Sequence, residues 1–315
     1  MKALVYTGDQ NVEMRDVDDA AVGNQDILVN VLRAGICGTD IGAIVHGRPK
    51  LEPGIVLGHE FVGRRLDSGR LVVGNPIIAC RQCTMCSAGA THLCTNRKVL
   101  GVHRQGAFAE RVSVPERNLV DAGDLSLTEA ALIDPVATAL HAWRLAPSSS
   151  TRVAVLGAGA IGLCTVAVLK AAGVEEIAIT DIVPERLEFA RTLGATSVVL
   201  PSGGVFDCVL DAVGSEQTRQ QATALLRTGG TAVLIGLHAE RLSVAAGPLI
   251  GGERTIRGAF AYTEAEFVEA IGIVRGMDTS WVRTIPFEYA ADSLAAMVGG
   301  RYREREAKVH LQIGE

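Results

Sequence analysis

Arg152-Val153-Ala154-Val155-Leu156-Gly157-Ala158-Gly159-Ala160-Ile161-Gly162 is the stretch that decides the fold of this chain. A short apolar run leads straight into G-x-G-x-x-G, and a helical run follows over residues 160 to 172. Strand, glycine turn and helix in that order open a βαβ unit whose helix N-terminus favours negative charge. Gly157 permits the tight turn, Gly159 lets backbone approach a pyrophosphate, and Gly162 lets helix and strand pack closely, with Ala160 and Ile161 completing the loop. Asp181 stands nineteen residues after Gly162, at the end of the next strand, Ile177 to Thr180. A carboxylate there accepts a hydrogen bond from an adenosine ribose 2'-hydroxyl and repels a 2'-phosphate, which points to NAD rather than NADP. Arg186 is the basic residue nearby that speaks for the phosphate.

Outward from this turn the alternation continues. The helical PERLEFARTLGA is followed by strands at Cys208–Asp211 and Thr231–Ile235, which predicts a doubly wound parallel sheet. On the other side, Lys2–Tyr6 and Asp26–Val31 are short β-branched or apolar runs bounded by Gly, Asp and Asn, as in a small, mostly antiparallel barrel. TEAALIDPVATALHAW has helical spacing interrupted by Pro135, and Pro147–Ser150 reads as a connector. The chain is expected to return to the first domain and to end with the strand Lys308–Leu311. The expected domains are 1–142 with 270–315, and 143–269.

Composition narrows the function. At 315 residues there is room for two cores, and 48% hydrophobic with 21% charged residues fits an ordinary globular protein. A net charge of -5 gives no basic footprint for nucleic acid. No apolar run reaches the roughly 18 residues of a membrane span, and no leader is evident after Met1, so a cytoplasmic protein with a small-molecule substrate is expected. Seven cysteines, partly clustered, argue for metal ligation in a reducing compartment.

Cys80, Cys83, Cys86 and Cys94 follow C-x2-C-x2-C-x7-C, in a stretch too short for a core of its own. Four thiolates saturate a tetrahedral Zn2+ and leave no position for chemistry, so this is a structural site. Upstream stand Gly35-Ile36-Cys37-Gly38-Thr39-Asp40 and Gly58-His59-Glu60. Together with the glycine turn, these motifs resemble the zinc-dependent medium-chain dehydrogenases, in the alcohol, sorbitol and threonine dehydrogenase branch, from Met1 to about Leu311.

The resemblance implies a GroES-like barrel as catalytic domain and a Rossmann domain for NAD. It implies two Zn2+ per chain, the catalytic one on Cys37, His59 and Asp134, with Glu60 behind it. Asp134 occupies the slot of a glutamate in sorbitol-dehydrogenase-like relatives and of a cysteine in many alcohol dehydrogenases. Thr39 is implied in the proton relay, whose usual histidine is replaced here by Gly42. Ala212, Val213, Ile235, Gly236, Gly258 and Phe260 match positions lining the nicotinamide half. His46 and His92 are expected at the surface, and His103, in Gly101-Val102-His103-Arg104, is a candidate for the substrate pocket. The expected reaction is hydride transfer from a polar secondary alcohol to NAD, in a homodimer or homotetramer. A threonine 3-dehydrogenase-like enzyme and a non-catalytic NAD-binding relative are the alternatives.

Overall fold

The computed structural model describes residues 1–200, 203–299, 305 and 307–315. Two units are resolved: 1–134 with 263–275 and 282–315, and 135–262 with 276–281. The expected boundaries, 142/143 and 269/270, lie eight residues after the first of these divisions and seven after the second.

The first unit opens with the hairpin β1 (Lys2–Gly8) and β2 (Asn11–Asp16). β3 (Asp26–Gly35), α1 (Gly38–His46), β4 (Glu60–Arg65), β5 (Leu71–Gly74) and β6 (Ile77–Ile78) follow. Next come α2 (Thr84–Ser87), β7 (Lys98–Val99), β8 (Arg111–Pro115), β9 (Leu119–Asp121) and α3 (Leu127–Ala130). α4 (Ile133–Arg144) carries the chain into the second unit. Pro135 does not break it. The helical run divides earlier, at Ala131–Leu132, and the proline sits in the first turn of α4, where its missing N–H has no intrahelical partner to lose.

The second unit alternates β10 (Arg152–Leu156), α5 (Ala160–Ala171), β11 (Glu176–Thr180), α6 (Pro184–Leu193), β12 (Phe206–Asp211) and α7 (Glu216–Ala224). β13 (Leu226–Leu234), α8 (Ala246–Gly251) and β14 (Thr255–Gly258) complete it. α9 (Glu264–Val274), β15 (Val282–Pro286), α10 (Ala290–Val298) and β16 (Lys308–Gln312) return to the first unit.

The five strands of the second unit are parallel, in the order β11-β10-β12-β13-β14, and an isolated parallel bridge from Ala178 to Ser197 extends the sheet beyond β11. β10, the first strand in sequence, lies inside the sheet. The chain therefore winds in one direction from it and then in the other, leaving a switch point at its carboxyl end. In the first unit β3 pairs antiparallel with β4, β8 and β16, while β15 joins β16 in parallel. Leu4, Leu57, Phe61, Leu100 and Phe108 pack in its core.

Two glycines fix the turn after β10. Gly157 has φ +95°, and its N–H donates to Thr180 O at 2.8 Å. A Cβ on Gly162 would lie 1.7 Å from the Gly157 carbonyl oxygen, which nothing but glycine allows. A Cβ on Gly159 would meet open space, at an ordinary φ of -72°. Gly162→Ala is therefore expected to destabilise the chain by about 1–3 kcal/mol through forced backbone displacement. Gly159→Ala should cost less than about 1 kcal/mol. Urea unfolding of both variants checks the contrast, and equal losses would contradict it.

Candidate active site

Cys37 precedes α1 in extended conformation and is tethered from both sides. Ile36 N donates to Val309 O at 2.9 Å, and Cys37 N donates to Asp40 Oδ2 at 2.9 Å. Asp40, buried one turn into α1, turns its other oxygen to within 3.4 Å of His59 Nδ1. One carboxylate thus orients both the thiol-bearing residue and the imidazole, a common support behind metal ligands.

His59 is delivered by the segment Val56–Gly58. Gly106, Phe108 and Ala107 donate to Val56 O, Leu57 O and Gly58 O at 2.8, 2.8 and 2.9 Å, so the 99–108 loop is laced to it. Glu60 follows as the first residue of β4 and is paired across the strands with Gly35. Its carboxylate forms a buried ion pair with Lys308 on β16.

Cys37, His59 and Glu60 offer ligand atoms that all lie within 4.8 Å of one another, with both His59 and Glu60 buried. Burial opposes charge on His59, yet Asp40 and Cys37 hold its pKa well above the usual imidazole value. Burial likewise opposes the Lys308 ammonium, while Glu60, Cys37 and Asp134 hold its pKa above the ordinary lysine value. A pocket that draws protons onto its buried bases is one that a cation fits. Cys37, His59 and Glu60 suit zinc in donor type and number.

Asp134 stands outside that gathered set. It occupies the first turn of α4, where its field acts on Lys308. Glu60 enters the gathered set because β4 carries it directly after His59, whereas the position of Asp134 depends on where α4 begins. Thr39 Oγ1 lies 3.6 Å from Cys37 Sγ, and the residue is exposed. His46 is exposed as expected. His92, expected at the surface, is buried, because the short turn Thr91–Leu93 folds it inward beside Cys94.

The four cysteines of the other motif are gathered too, all ligand atoms within 4.8 Å. Cys83 Sγ lies 3.5 Å from Cys86 Sγ and 3.8 Å from Cys94 Sγ. Those separations far exceed a disulfide bond and match the roughly 3.8 Å between thiolates on a tetrahedral ion with 2.3 Å bonds. Backbone N–H groups of Cys86 and Thr95 hold the Cys83 thiol down to about 5, while burial and the neighbouring Cys83 and Cys94 push Cys86 up to about 12. Four sulfurs at this spacing could hold one metal ion.

In the second unit the sequence-predicted residues collect at the carboxyl edge of the parallel sheet. Gly157 follows β10, Asp181 follows β11, Ala212 and Val213 follow β12, Ile235 and Gly236 follow β13, and Gly258 ends β14, two residues before the exposed Phe260. Gly159 caps α5, and a Cβ added to it would meet no other atom within 4 Å, so the space beside the helix N-terminus is open there. That cradle fits a pyrophosphate. Asp181 accepts from Ala158 N at 2.5 Å and from Val183 N at 2.8 Å, which fixes the carboxylate against the glycine turn. Arg186 lies in the first turn of α6.

Asp40, Lys308 and Asp211 were not singled out by sequence. Asp211 ends β12 fully buried, accepting from Val213 N, Gly214 N and Thr218 Oγ1. For Lys308 the signal was contrary, since a lysine opening an apolar strand reads as solvated.

Comparison with known proteins agrees with this geometry. The family model of the alcohol dehydrogenase GroES-like domain matches residues 23–124, and that of the zinc-binding dehydrogenase matches residues 160–275. An L-threonine 3-dehydrogenase of Streptomyces coelicolor is 32% identical over 333 aligned residues, covering 97% of this chain and 94% of the relative. An L-galactonate-5-dehydrogenase of Escherichia coli is 33% identical, covering 78% of this chain and 79% of the relative. The crystal structure of a Sinorhizobium meliloti protein bound to NADP superposes with a TM-score of 0.90 at 28% identity, over 99% of this chain and 98% of that one. With both domain families matched in order and a full-length relative at this identity, the chain belongs to the zinc-dependent medium-chain alcohol and polyol dehydrogenases, oxidoreductases that use zinc and a nicotinamide cofactor.

Proposed function

We propose that the chain oxidises a secondary alcohol of a polar substrate to the ketone, with NAD as hydride acceptor and catalytic zinc held by Cys37, His59 and Glu60. The observation that carries this reading is the gathering of those three donors within 4.8 Å, with the Thr39 hydroxyl beside the thiol. A bound zinc lowers the pKa of an alcohol oxygen near it, and the nicotinamide accepts the hydride. The protein's own part is orientation and proton movement. Asp40 fixes Cys37 and His59, and Lys308 pairs with the Glu60 carboxylate. Thr39 accepts the hydroxyl proton and, being exposed, hands it to solvent, with Gly42 where relatives carry a relay histidine.

Support for a second reading, a threonine 3-dehydrogenase-like activity, is the 32% identity to the Streptomyces coelicolor enzyme of that name. A non-catalytic relative would have no use for the gathered Cys37–His59–Glu60 set. The second zinc, the structural one, belongs to Cys80, Cys83, Cys86 and Cys94. β14 ends the parallel sheet among the described residues, with three of its four residues exposed, and an open edge of this kind favours pairing with a second copy in a homo-oligomer. No helix among the described residues is long and apolar enough to cross a membrane, and all seven cysteines are free thiols, which supports the cytoplasm.

The metal assignment is checked by elemental analysis. Wild-type protein is expected to hold two Zn2+ per chain. Glu60→Gln should lose close to one equivalent together with activity, whereas Asp134→Asn should keep both ions. Retention of two ions in Glu60→Gln with loss in Asp134→Asn would return the third position to Asp134. Cys83→Ser should lose the other equivalent and lower the Tm.

Cofactor choice rests on Asp181. Its fixed negative charge should favour NAD over NADP by at least tenfold in kcat/KM, about 1.4 kcal/mol or more. Asp181→Ala is expected to narrow that ratio at least tenfold, read from initial rates with each cofactor. Equal efficiencies in the wild type would show that Arg186 outweighs the carboxylate.

A further inference from the structure

A cavity of about 580 Å³ opens in the first unit, lined by Lys50, Ile55, Arg97, Lys98, Val102 and His103 together with Glu52 and Asn96. Its size is that of a small-molecule site. Its charge is unlike the rest of the chain: three permanent cations face one carboxylate, in a protein of net charge -5. The Lys50–Glu52 pair spans 2.9 Å with both side chains largely exposed, so it is weak and yields readily to a better partner. Burial first, then the charges of Arg97 and Lys98, hold the His103 pKa below its ordinary value, so two of the cations act together on that ring.

The cavity is built on the segments that carry the metal ligands. Ile55 in its wall lies four residues before His59, which limits their Cα separation to about 14 Å. Val102 and His103 belong to the loop whose Gly101 packs against the Gly58 backbone and whose Gly106, Ala107 and Phe108 hydrogen-bond Val56–Gly58. Lys50 stands on the connection from α1, which Cys37 precedes, to His59. Arg97 and Lys98 emerge directly from the four-cysteine lobe, and Arg97 Nη1 donates to Cys94 O at 3.2 Å. Within the same loop Arg104 is tied to Asp26, and His103 accepts the Val99 N–H at Nδ1, which fixes the ring. A basic cavity with apolar walls at Ile55 and Val102, set this near the catalytic donors, receives the far end of a molecule whose hydroxyl reacts.

We propose that this cavity binds the anionic end, carboxylate or phosphate, of the alcohol substrate, and that the substrate is an acidic hydroxylated carbon chain rather than a neutral polyol. The inference rests on the dehydrogenase reading above and adds the class of substrate to it. Lys50 and Lys98 supply mobile ammonium groups, and Arg97, anchored to the lobe, supplies the fixed one.

The test uses the zinc-loaded enzyme with NAD and three substrate arms: a neutral hexitol, the corresponding aldonate and the corresponding hexitol phosphate. At least one charged arm is expected to exceed the neutral one tenfold or more in kcat/KM, and which of the two does so identifies the anion. That advantage should shrink as ionic strength rises. In the double variant Lys50→Gln with Lys98→Gln, the charged-to-neutral ratio should fall at least tenfold, mainly through KM. A neutral preference in the wild type, or a ratio that survives the double substitution, overturns the proposal. Calorimetric titration with an aldonate and with inorganic phosphate, run on wild type and double variant, separates the two readings. Binding that the double variant loses tenfold supports the cavity assignment even where no alcohol is turned over, an outcome that would sink only the dehydrogenase reading. Absence of binding in the wild type overturns the cavity assignment alone.

Discussion

The buried pairing of Glu60 with Lys308 is the constraint around which the first unit is arranged. Taking an ammonium and a carboxylate out of water costs several kcal/mol per ion, and only close pairing and further polar neighbours offset it. Those neighbours are Cys37 and Asp134, both of which act on Lys308. The ion pair thus joins β4, which begins with Glu60, to β16 near the C-terminus, while β3 between them ends at Gly35, where any Cβ would strike Glu60 and Lys308. The strands that pair here are the ones that bring Glu60 beside Cys37 and His59. A group of negative charges that one lysine only partly balances also leaves room for a divalent cation.

Much of this was legible in the sequence because it depends on local spacing. G-x-G-x-x-G after an apolar run specifies a turn whose geometry tolerates only glycine at two positions, so Gly157 and Gly162 could be assigned their roles directly. The four cysteines announce themselves by spacing in the same way. What could not be read depends on contacts distant in sequence. Lys308 lies 248 residues from Glu60, and no periodicity links them. Glu60 follows His59 in the chain and shares its surroundings, whereas Asp134 is placed by the start of α4, far along the sequence. His92 went inward because a three-residue turn, too short to signal itself, reverses the chain there.

Two acids at the edge of the parallel sheet show how similar residues divide between structure and binding. Asp211 is wholly buried and accepts three hydrogen bonds from its own turn and α7, so most of its acceptor capacity is used within the protein. Asp181 accepts two from backbone amides and is only partly buried, so lone pairs remain for a ligand hydroxyl. Those amides hold the Asp181 carboxylate in place, and a carboxylate there is what discriminates against a phosphate. Ile182 beside it is 88% exposed, an apolar surface with no partner in its own unit, as suits the flat face of a bound base.

The four-cysteine lobe raises the question of what a structural metal is for at this place. Between Cys80 and Arg97 only His92 and Cys94 are buried, so apolar burial contributes almost nothing to its order. Without a cation the segment would hold four thiols of conflicting acidity in a turn-rich loop, with Arg81 strained at φ +61°. Zinc converts that loop into a rigid body, because fixing four side chains to one ion fixes the backbone between them. The rigid body ends at Asn96, Arg97 and Lys98, all in the wall of the basic cavity, and continues into the loop that clamps the His59 segment. A zinc ion held by the four cysteines would therefore also fix where Arg97 and Lys98 stand.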